Sequence, residues 1–384
     1  MQSEKNARHT FHANGGKIRA GENVMQNKKG SISAALLCSS AILAKFLIVM
    51  PEYMVKYNAN SAWIEIVAKC ILASICFYII VWLYKPFQYK SFDMVSEIAF
   101  GKIGRTVISI FYITGLIVFN AGLLRMLTEA LRTIGLNSAK PEYFALFILT
   151  AVFIGMYMGI SPTTNISTII FPFVILSLLL VGVIMQPHYR IENILPVLGK
   201  GANVLVDSIF LKHFGFFEIM LLFFFAPQIG SLSDIRKAGS YTFFIVALFS
   251  VFFTLTYCLA VPYPASQNFF LPLYQLSRMI KAGSFLQRME PLIVFVWTGV
   301  ILCSMSATLS LVTKLMNNGK ETAERKAYVP LTVFTVFFLS VLPETEIQAF
   351  LAYEYTLRYG YILFPLLPAI VLITAKIRKA GRNG

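Results

Sequence analysis

The chain has 384 residues, of which 57% are hydrophobic and only 13% are charged, and its formal net charge is +15. Soluble domains carry roughly 25% charged residues, so this composition excludes an ordinary soluble enzyme or binding module. The basic residues lie mainly in the tails and between apolar stretches, which excludes a nucleic-acid-binding surface. We therefore expect the lipid bilayer to contact most of the protein surface.

The polar N-terminal segment differs from the rest of the chain. Residues 1–30 contain six Lys and Arg residues, and no apolar segment precedes position 31. We expect a disordered cytoplasmic tail here and not a cleaved signal peptide. Residues 31–376 then form a predicted transmembrane permease-like domain, and residues 377–384 form a short basic cytoplasmic tail.

Hydropathy predicts ten transmembrane helices, because about 20 apolar residues cross the hydrocarbon core of a bilayer. The predicted spans are 31–54, 62–84, 105–131, 142–160, 165–186, 208–230, 239–261, 289–314, 328–343 and 359–376. A short turn at 161–165 joins the fourth span to the fifth. Residues 91–104 and 268–288 are predicted to be amphipathic segments that lie on the membrane surface.

The distribution of basic residues predicts the orientation. An even number of spans places both termini on one side, and 20 of the 33 Lys and Arg residues lie in segments on that side. Eleven lie in segments on the other side, and Lys45 and Lys69 lie within spans. Because basic loops favour the inside of the membrane, both termini are predicted to be cytoplasmic.

The first and sixth spans contain irregular stretches at 39–41 and 215–217. These spans open two five-span halves, and interrupted helices at corresponding positions of two halves mark the binding sites of transporters. The sequence therefore predicts an all-α polytopic membrane protein, a transporter-like bundle with interrupted first and sixth spans. In this fold the breaks in the first and sixth spans face each other.

A single acidic residue, Glu218, lies among Phe and Leu in the sixth span. A charge at the centre of a bilayer costs about 2.5–3.5 kcal/mol, so such a residue faces a cavity or a charged partner. Lys45 of the first span is a candidate partner, although its ammonium group can instead reach an interface. Glu218 has either a structural role in an ion pair or a role in binding a ligand, a proton or an ion.

Two polar residues on other spans are candidate ligand contacts. Asn120 on the third span either joins helices or lines a cavity. Thr298 on the eighth span is a weaker candidate, because Thr side chains within helices often bond their own helix backbone. A break in the first span would offer N–H groups to a carboxylate. The predicted pocket lies between the first, third, sixth and eighth spans. It comprises Ser39, Ser40, Ala41, Asn120, Gly215, Phe216, Phe217, Glu218 and Thr298.

Two further charged pairs have helical spacing. Glu65 and Lys69 on the second span, and Arg125 and Glu129 on the third, are each four residues apart. This spacing places opposite charges side by side on one helix face, so we interpret both pairs as structural.

The sequence contains no motif that carries enzymatic chemistry. The five cysteines and four histidines have no metal-ligand spacing, and no nucleophile or phosphate-binding motif stands in a suitable context. The protein is therefore not expected to be an enzyme or to hold a metal or a cofactor.

The loop that enters the eighth span carries a family resemblance. It reads FLPLYQLSRMIKAGSFLQRME over 270–290, followed by Phe-Val-Trp at 295–297. It resembles the endospore germination permease family, the B subunits of GerA-type nutrient germinant receptors. Supporting matches lie at 40–43, 62–63, 124–125 together with Glu129, 216–218 and 364–368. Ser40 and Phe217 stand where family members often have Gly.

The resemblance implies the amino acid–polyamine–organocation fold, with its 5+5 inverted repeat, and a function. It implies a subunit that senses a small nutrient, typically an amino acid, in the spore inner membrane and works with an A subunit and a lipoprotein C subunit. The alternative is a proton- or cation-coupled amino-acid transporter. Related proton-coupled transporters are expected to carry a Lys on the fifth span, and the predicted span 165–186 has no Lys or Arg.

Overall fold

The computed structural model describes residues 30–135, 140–212, 215–268, 271–279 and 290–381. The tail at 1–29, residues 382–384 and most of the predicted amphipathic segment 268–288 therefore lie outside the described residues, as does most of the 270–290 loop. Within the described ranges the secondary structure is helical, with no strand.

The α-helices follow one another with short connections. In chain order they are α1 (Ser31–Ile48), α2 (Met50–Asn58), α3 (Ala62–Tyr84), α4 (Phe92–Gly135), α5 (Pro141–Met158), α6 (Ile160–Ile184), α7 (Ala202–Leu211), α8 (Leu221–Phe224), α9 (Ala226–Ile229), α10 (Leu232–Ala260), α11 (Pro272–Met279), α12 (Glu290–Met316), α13 (Val329–Val341), α14 (Glu346–Arg358) and α15 (Leu367–Ala380).

The described residues contain eight helical segments that are long and apolar enough to cross a membrane. Two further crossings are built from shorter pieces. Helices α7, α8 and α9 make the sixth crossing, with a 3-10 turn at Phe217–Met220, and the 13-residue α13 makes the ninth. The all-α fold with about ten crossings is thus the predicted one.

Both ends of the described chain lie at one face of the bundle, which we call the terminal face. Ser31 at the start of α1 donates a hydrogen bond to Asp234 (3.5 Å), and Lys379 at the end of α15 donates to the carbonyl of Pro86 (2.9 Å). The face at the other end of the spans is called the opposite face.

Helix α1 forms the centre of the bundle. In its apolar window 78% of the residues are buried within the protein, compared with 28% in α5. It packs against α6, α10 and α12, whereas the outer surfaces of α5 and α6 carry exposed apolar side chains suited to lipid. Residues on α1 are therefore placed where a transporter fold keeps its binding site.

The turn between the fourth and fifth spans was predicted at the wrong residues. Residues 161–165 are helical and belong to α6, and the chain turns instead at Gly159, which adopts φ +99°. Few residues other than Gly adopt this backbone conformation, so the glycine decides where α5 ends. The sequence Ser-Pro-Thr-Thr-Asn suggested a loop, but Pro162 lies in the first turn of α6, where proline is tolerated.

The tenth span is longer than predicted. Residues 346–358, predicted as a loop, form α14, and the helical chain continues to Ala380 with a distortion at Ile362–Leu366. Phe364 there is extended (φ −157°, ψ 126°) because the residue before a proline is disfavoured in the helical region. Charged residues in α14 lower its hydropathy, so the sequence pattern did not identify this segment as part of a transmembrane helix.

The predicted surface segment 91–104 is helical and is separated from the third span. Gly101 has φ +75° and ψ −173°, so residues 92–100 form a helix of their own before the crossing begins. Helix α11 occupies part of the second predicted amphipathic segment.

Close packing of α10 on α3 depends on Gly239. A Cβ atom added there would lie 2.0 Å from Cζ of the buried Phe77 ring. We expect Gly239→Ala to lower the free energy of unfolding by about 1–3 kcal/mol, since the ring is confined in a packed core. Thermal unfolding of the purified chain in detergent measures this. Gly30→Ala is the matched control, because a Cβ at Gly30 meets nothing within 4 Å; equal midpoints for the two variants would contradict the packing argument.

Candidate functional site

A buried ion pair lies at the centre of the bundle. The Nζ atom of Lys45 on α1 donates a hydrogen bond to Oε1 of Glu218, which lies in the 3-10 turn of the sixth crossing. Both residues are about 1% exposed. The predicted Lys45–Glu218 pair is therefore confirmed, and the alternative in which Lys45 reaches an interface is wrong. The pairing removes much of the cost of holding each charge away from water.

The predicted break in the sixth span is confirmed. The chain leaves the helical conformation after Leu211, and Gly215 and Phe216 are non-helical before the 3-10 turn begins at Phe217. A Cβ atom added at Gly215 would lie 3.0 Å from Cε of Lys45. The break therefore lies directly against the lysine of the ion pair.

The first span is interrupted, but not where the sequence predicted. Helix α1 is continuous through 39–41, and the break is at Val49 (φ −130°, ψ −24°). Pro51 has no N–H group, and its ring would clash with a carbonyl of the preceding turn, so the helix cannot continue through this point. The small side chains at 39–41 serve close helix packing instead, with Ser40 Oγ 2.8 Å from Ser167 Oγ of α6.

The other first-span candidates contact neighbouring helices. Ser304 of α12 donates a hydrogen bond to the carbonyl of Ala41 at 3.3 Å. Ser39 is fully buried, and its hydroxyl has no hydrogen-bond partner among the described residues. The backbone N–H groups at 39–41 are used within the helix, so they are not available to a carboxylate.

Two aromatic rings lie against the ammonium group of Lys45. Its Nζ lies 4.7 Å from the ring centroid of Phe217 and 5.6 Å from that of Phe119. These two rings meet edge to face at 4.8 Å, and Tyr353 of α14 stacks on Phe119 at 6.0 Å. We call Lys45, Glu218 and these three rings the central box. Cation–π contacts of this kind stabilise an ammonium group out of water.

Two polar atoms of the central box have no hydrogen-bond partner among the described residues. They are Oε2 of Glu218 and the hydroxyl of Tyr353, and both are buried. Buried polar atoms are normally paired, so each unpaired one requires an explanation. A polar ligand entering the box would find both a free acceptor and a free hydroxyl.

Asn120 joins two helices at the edge of this region. Its Nδ2 donates to the carbonyl of Leu116 (2.7 Å), and its Oδ1 accepts from Thr308 of α12 (3.0 Å). Of the two sequence interpretations, the link between helices is thus directly observed. Thr298 is ten residues before Thr308, or about 15 Å along α12, so the structure does not bring Thr298 and Asn120 together. Phe216 is buried and faces Phe243 of α10 with a centroid distance of 6.0 Å.

A small cavity approaches the central box from the terminal face. Its volume is about 30 Å³, roughly that of one water molecule, and its wall includes Cys38, Thr164, Leu222 and Phe225. Cys38 connects it to the ion pair, because its Sγ lies 4.0 Å from the carbonyl oxygen of Glu218. The cavity therefore ends beside the sixth-span turn.

A larger vestibule of about 260 Å³ lies further out on the terminal face. It shares Ile160 and Gln228 with the small cavity, so the two adjoin. Arg325 lines the vestibule and donates to the carbonyl of Met156 (2.8 Å) while pairing with Glu321 (3.0 Å). Desolvation raises the pKa of the Glu321 carboxyl, and the positive charges of Arg325 and Lys314 offset part of this rise.

On the opposite face, contacts between α2 and α14 close the bundle. Tyr53 donates a hydrogen bond to the carbonyl of Phe350 (3.0 Å), and Tyr57 donates to the carboxylate of Glu354. The ammonium of Lys56 lies 5.2 Å from the Phe350 ring centroid. These contacts join α2 to α14 on the opposite face, whereas the vestibule lies on the terminal face.

The two predicted structural pairs are confirmed. Lys69 pairs with Glu65, and Arg125 lies 2.9 Å from Glu129. Glu65 also accepts hydrogen bonds from Asn58 (2.5 Å) and Ser208 (2.8 Å). This network joins α2, α3 and α7, and so holds the two interrupted crossings together on the opposite side.

Sequence reasoning missed two members of the central box. Phe119 precedes Asn120, and its position one residue before a buried amide was the available signal. Tyr353 lies in the segment predicted as a loop, so hydropathy gave no signal for it.

A ten-crossing bundle with an ion pair at the break of its sixth span belongs to the class of transporter-fold membrane proteins. A solved structure of a Na⁺-coupled sialic acid symporter, substrate-bound and outward-open, is similar to this chain with a TM-score of 0.60 and 13% sequence identity. The match covers 88% of this chain and 79% of the symporter. At this identity the likeness shows the fold alone.

The sequence comparison defines the family. The profile of the spore germination protein family matches residues 31–349, and the chain belongs to that family. Two relatives from Bacillus subtilis (strain 168) are similar over nearly their whole length. Spore germination protein YndE is 22% identical over 93% of this chain and 99% of its own. Spore germination protein A2 is 23% identical over 92% of this chain and 96% of its own. Family and fold are those of permeases and not of enzymes.

Proposed function

We propose that this chain is the transporter-fold subunit of a spore nutrient germinant receptor. It binds a small nutrient, an amino acid, and triggers germination together with A and C subunits. It lies in the spore inner membrane with cytoplasmic termini, so the terminal face is the cytoplasmic one. The observation that carries the proposal is the central box, a buried ion pair at the break of the sixth crossing. Transporter folds bind their ligands at the breaks of interrupted helices, and the family of this chain is one of spore germination proteins.

The proposed nutrient pocket is built on the predicted site residues. Phe216 and Phe217 cover an apolar side chain, Gly215 leaves room beside Lys45, and Glu218 takes a positively charged group. Ser39 offers a free hydroxyl, and Ser40 and Ala41 hold α1 against α6 and α12. Asn120 holds α4 against α12, and Thr298 lies on α12 ten residues before the Thr308 that bonds Asn120. Small-ligand sites usually combine apolar walls with a few aimed polar groups in this way.

Signalling requires that the nutrient favour one conformation by a free-energy difference. The contacts between α2 and α14 close the opposite face, and the vestibule opens the terminal face. A second conformation would have the opposite face open and the terminal face closed. Nutrient binding at the break of the sixth crossing then changes the relative populations of the two conformations, and the partner subunits detect this change.

A coupled amino-acid transporter is the alternative function. Related proton-coupled transporters are expected to carry a lysine on the fifth span, and helix α6, which forms this span, contains no Lys or Arg. Uptake of radiolabelled amino acids by proteoliposomes containing the full chain separates the two functions. Concentrative uptake driven by a proton or sodium gradient would favour the transporter.

Deleting the gene in its spore-former tests the proposed function. Spores are exposed to a panel of amino acids, sugars and nucleosides, and germination is followed by loss of optical density. We expect the response to one or more amino acids to be lost while the response to unrelated germinants remains. Unchanged germination on every nutrient would contradict the proposal.

Asn120→Leu should raise the nutrient concentration needed for half-maximal germination by about 5- to 30-fold. The substitution removes hydrogen bonds worth about 1–2 kcal/mol at the wall of the pocket. Germination dose–response curves measure this, with subunit levels checked by immunoblot. Thr150→Val is the matched control, because Thr150 is exposed and bonds its own helix at Leu146. Unchanged curves for the Asn120 and Phe217 variants alike would place the ligand elsewhere, on a partner subunit.

A further inference from the structure

The central box already holds an ammonium group, and that group belongs to the protein. Lys45 Nζ lies beside the edge-to-face pair of Phe217 and Phe119 rings and pairs with one oxygen of Glu218, while the other oxygen has no hydrogen-bond partner among the described residues. Aromatic rings combined with a carboxylate are the arrangement by which proteins recognise ammonium ligands. In this structure Lys45 therefore occupies the position that fits the ammonium group of a ligand.

The charge of the box limits what can enter it. Lys45 and Glu218 are both buried, and within the described residues each forms its salt bridge only with the other. The site is therefore neutral as a whole. A ligand with only an ammonium or only a carboxylate group would leave one buried charge uncompensated, which is strongly unfavourable. A zwitterion would compensate both charges at once.

The carboxylate of a ligand in the box would pair with Lys45, because the backbone of α1 offers it no free N–H group at 39–41. The predicted donors for a carboxylate were the backbone N–H groups at 39–41, but these are used within the continuous helix. The ammonium of Lys45 is the cationic donor that remains in the box. The side chain of Lys45 packs closely on Gly215, since a Cβ atom added there would lie 3.0 Å from Cε of Lys45.

We infer that the nutrient binds by splitting the Lys45–Glu218 pair, so that Lys45 determines specificity for zwitterions. The ammonium group of the ligand replaces Nζ of Lys45 beside the two rings and pairs with Glu218. Lys45 turns to the carboxylate of the ligand and remains neutralised. This inference rests on the proposed nutrient-binding function and adds to it the residue that selects ligand charge.

Binding of matched probes to the full-length chain in lipid nanodiscs tests the inference. The probes are L-alanine, L-valine and L-leucine, the amine that lacks the carboxylate of each, and the acid that lacks the ammonium of each. We expect the wild-type chain to bind at least one amino acid, and to bind it at least about tenfold more tightly than its amine or its acid. Calorimetry or a thermal-shift titration gives the dissociation constants.

Two single substitutions should then reverse this preference in opposite directions. In Lys45→Met the box carries one negative charge, so the ratio of amine to amino-acid affinity should rise at least about tenfold. In Glu218→Gln the box carries one positive charge, so the ratio for the acid should rise similarly. Glu97→Gln, in a partly exposed ion pair with Arg105, is the matched control and should keep the wild-type preference.

The outcomes separate the inference from the proposed function. Wild-type binding of none of the three amino acids would argue against the proposed nutrient function itself. Amino-acid binding with equal affinity for the amine would overturn only the splitting of the pair, as would variants that retain the wild-type preference. Because the wild-type comparison needs no variant, the inference stays testable even if both substituted chains fail to fold.

Discussion

Lys45→Met or Glu218→Gln alone is expected to lower the free energy of unfolding by about 3–5 kcal/mol. Each substitution leaves the other member of the pair as an uncompensated charge in a buried site. The double substitution removes both charges, so its cost should be well below the sum of the two single costs. Thermal unfolding of the four purified chains in detergent, arranged as a double-mutant cycle, measures the coupling.

A surface ion pair provides the control for this cycle. Asp207 and Lys212 lie 3.6 Å apart with side chains 47% and 23% exposed, and such pairs contribute about 0–1 kcal/mol. Single variants at the central pair that cost no more than Asp207→Asn would contradict the assignment of Lys45 and Glu218 as mutually dependent buried charges.

The closure of the opposite face should depend on two tyrosine hydroxyls. Tyr53→Phe combined with Tyr57→Phe removes one hydrogen bond to a carbonyl and one to a carboxylate, together worth about 2–4 kcal/mol. The substitution keeps the ring contact between residue 53 and Phe350, whose centroids lie 4.5 Å apart. We therefore expect α2 and α14 to separate more often without losing their packing.

Hydrogen exchange followed by mass spectrometry measures this opening. Amide exchange in α2 and α14 should accelerate about 30-fold or more in the double variant, while exchange in α12 stays unchanged. Tyr359→Phe is the control, since Tyr359 is 52% exposed on the outside of the bundle. Unchanged exchange in α2 and α14 would mean that the two hydroxyls do not hold this face closed.

The sequence carried enough information for the fold and for the central charges. The apolar lengths gave ten crossings, and an acidic residue in an apolar span required a partner, which proved to be Lys45. Both inferences depend on strong and local energetic terms, namely the cost of burying polar backbone and the cost of burying charge in a membrane.

Other details depended on terms that a single sequence does not display. Small residues at 39–41 are compatible with either a break or close helix packing, and only the neighbouring Ser167 and Ser304 decide for packing. Tyr353 belongs to the central box, but it lies on α14, which was predicted to be a loop because of its charged residues. Gly159 ends α5 through its backbone conformation, although a neighbouring Ser-Pro sequence looked like the stronger turn signal.

A structure of the full-length chain bound to its nutrient tests the central claim most directly. The nutrient is the amino acid identified by the germination panel, and electron cryomicroscopy of the chain with its partner subunits gives the bound pose. We expect the ligand between Lys45 and Glu218, with its ammonium group beside the Phe119 and Phe217 rings. A ligand bound elsewhere, with Lys45 still paired to Glu218, would contradict the account.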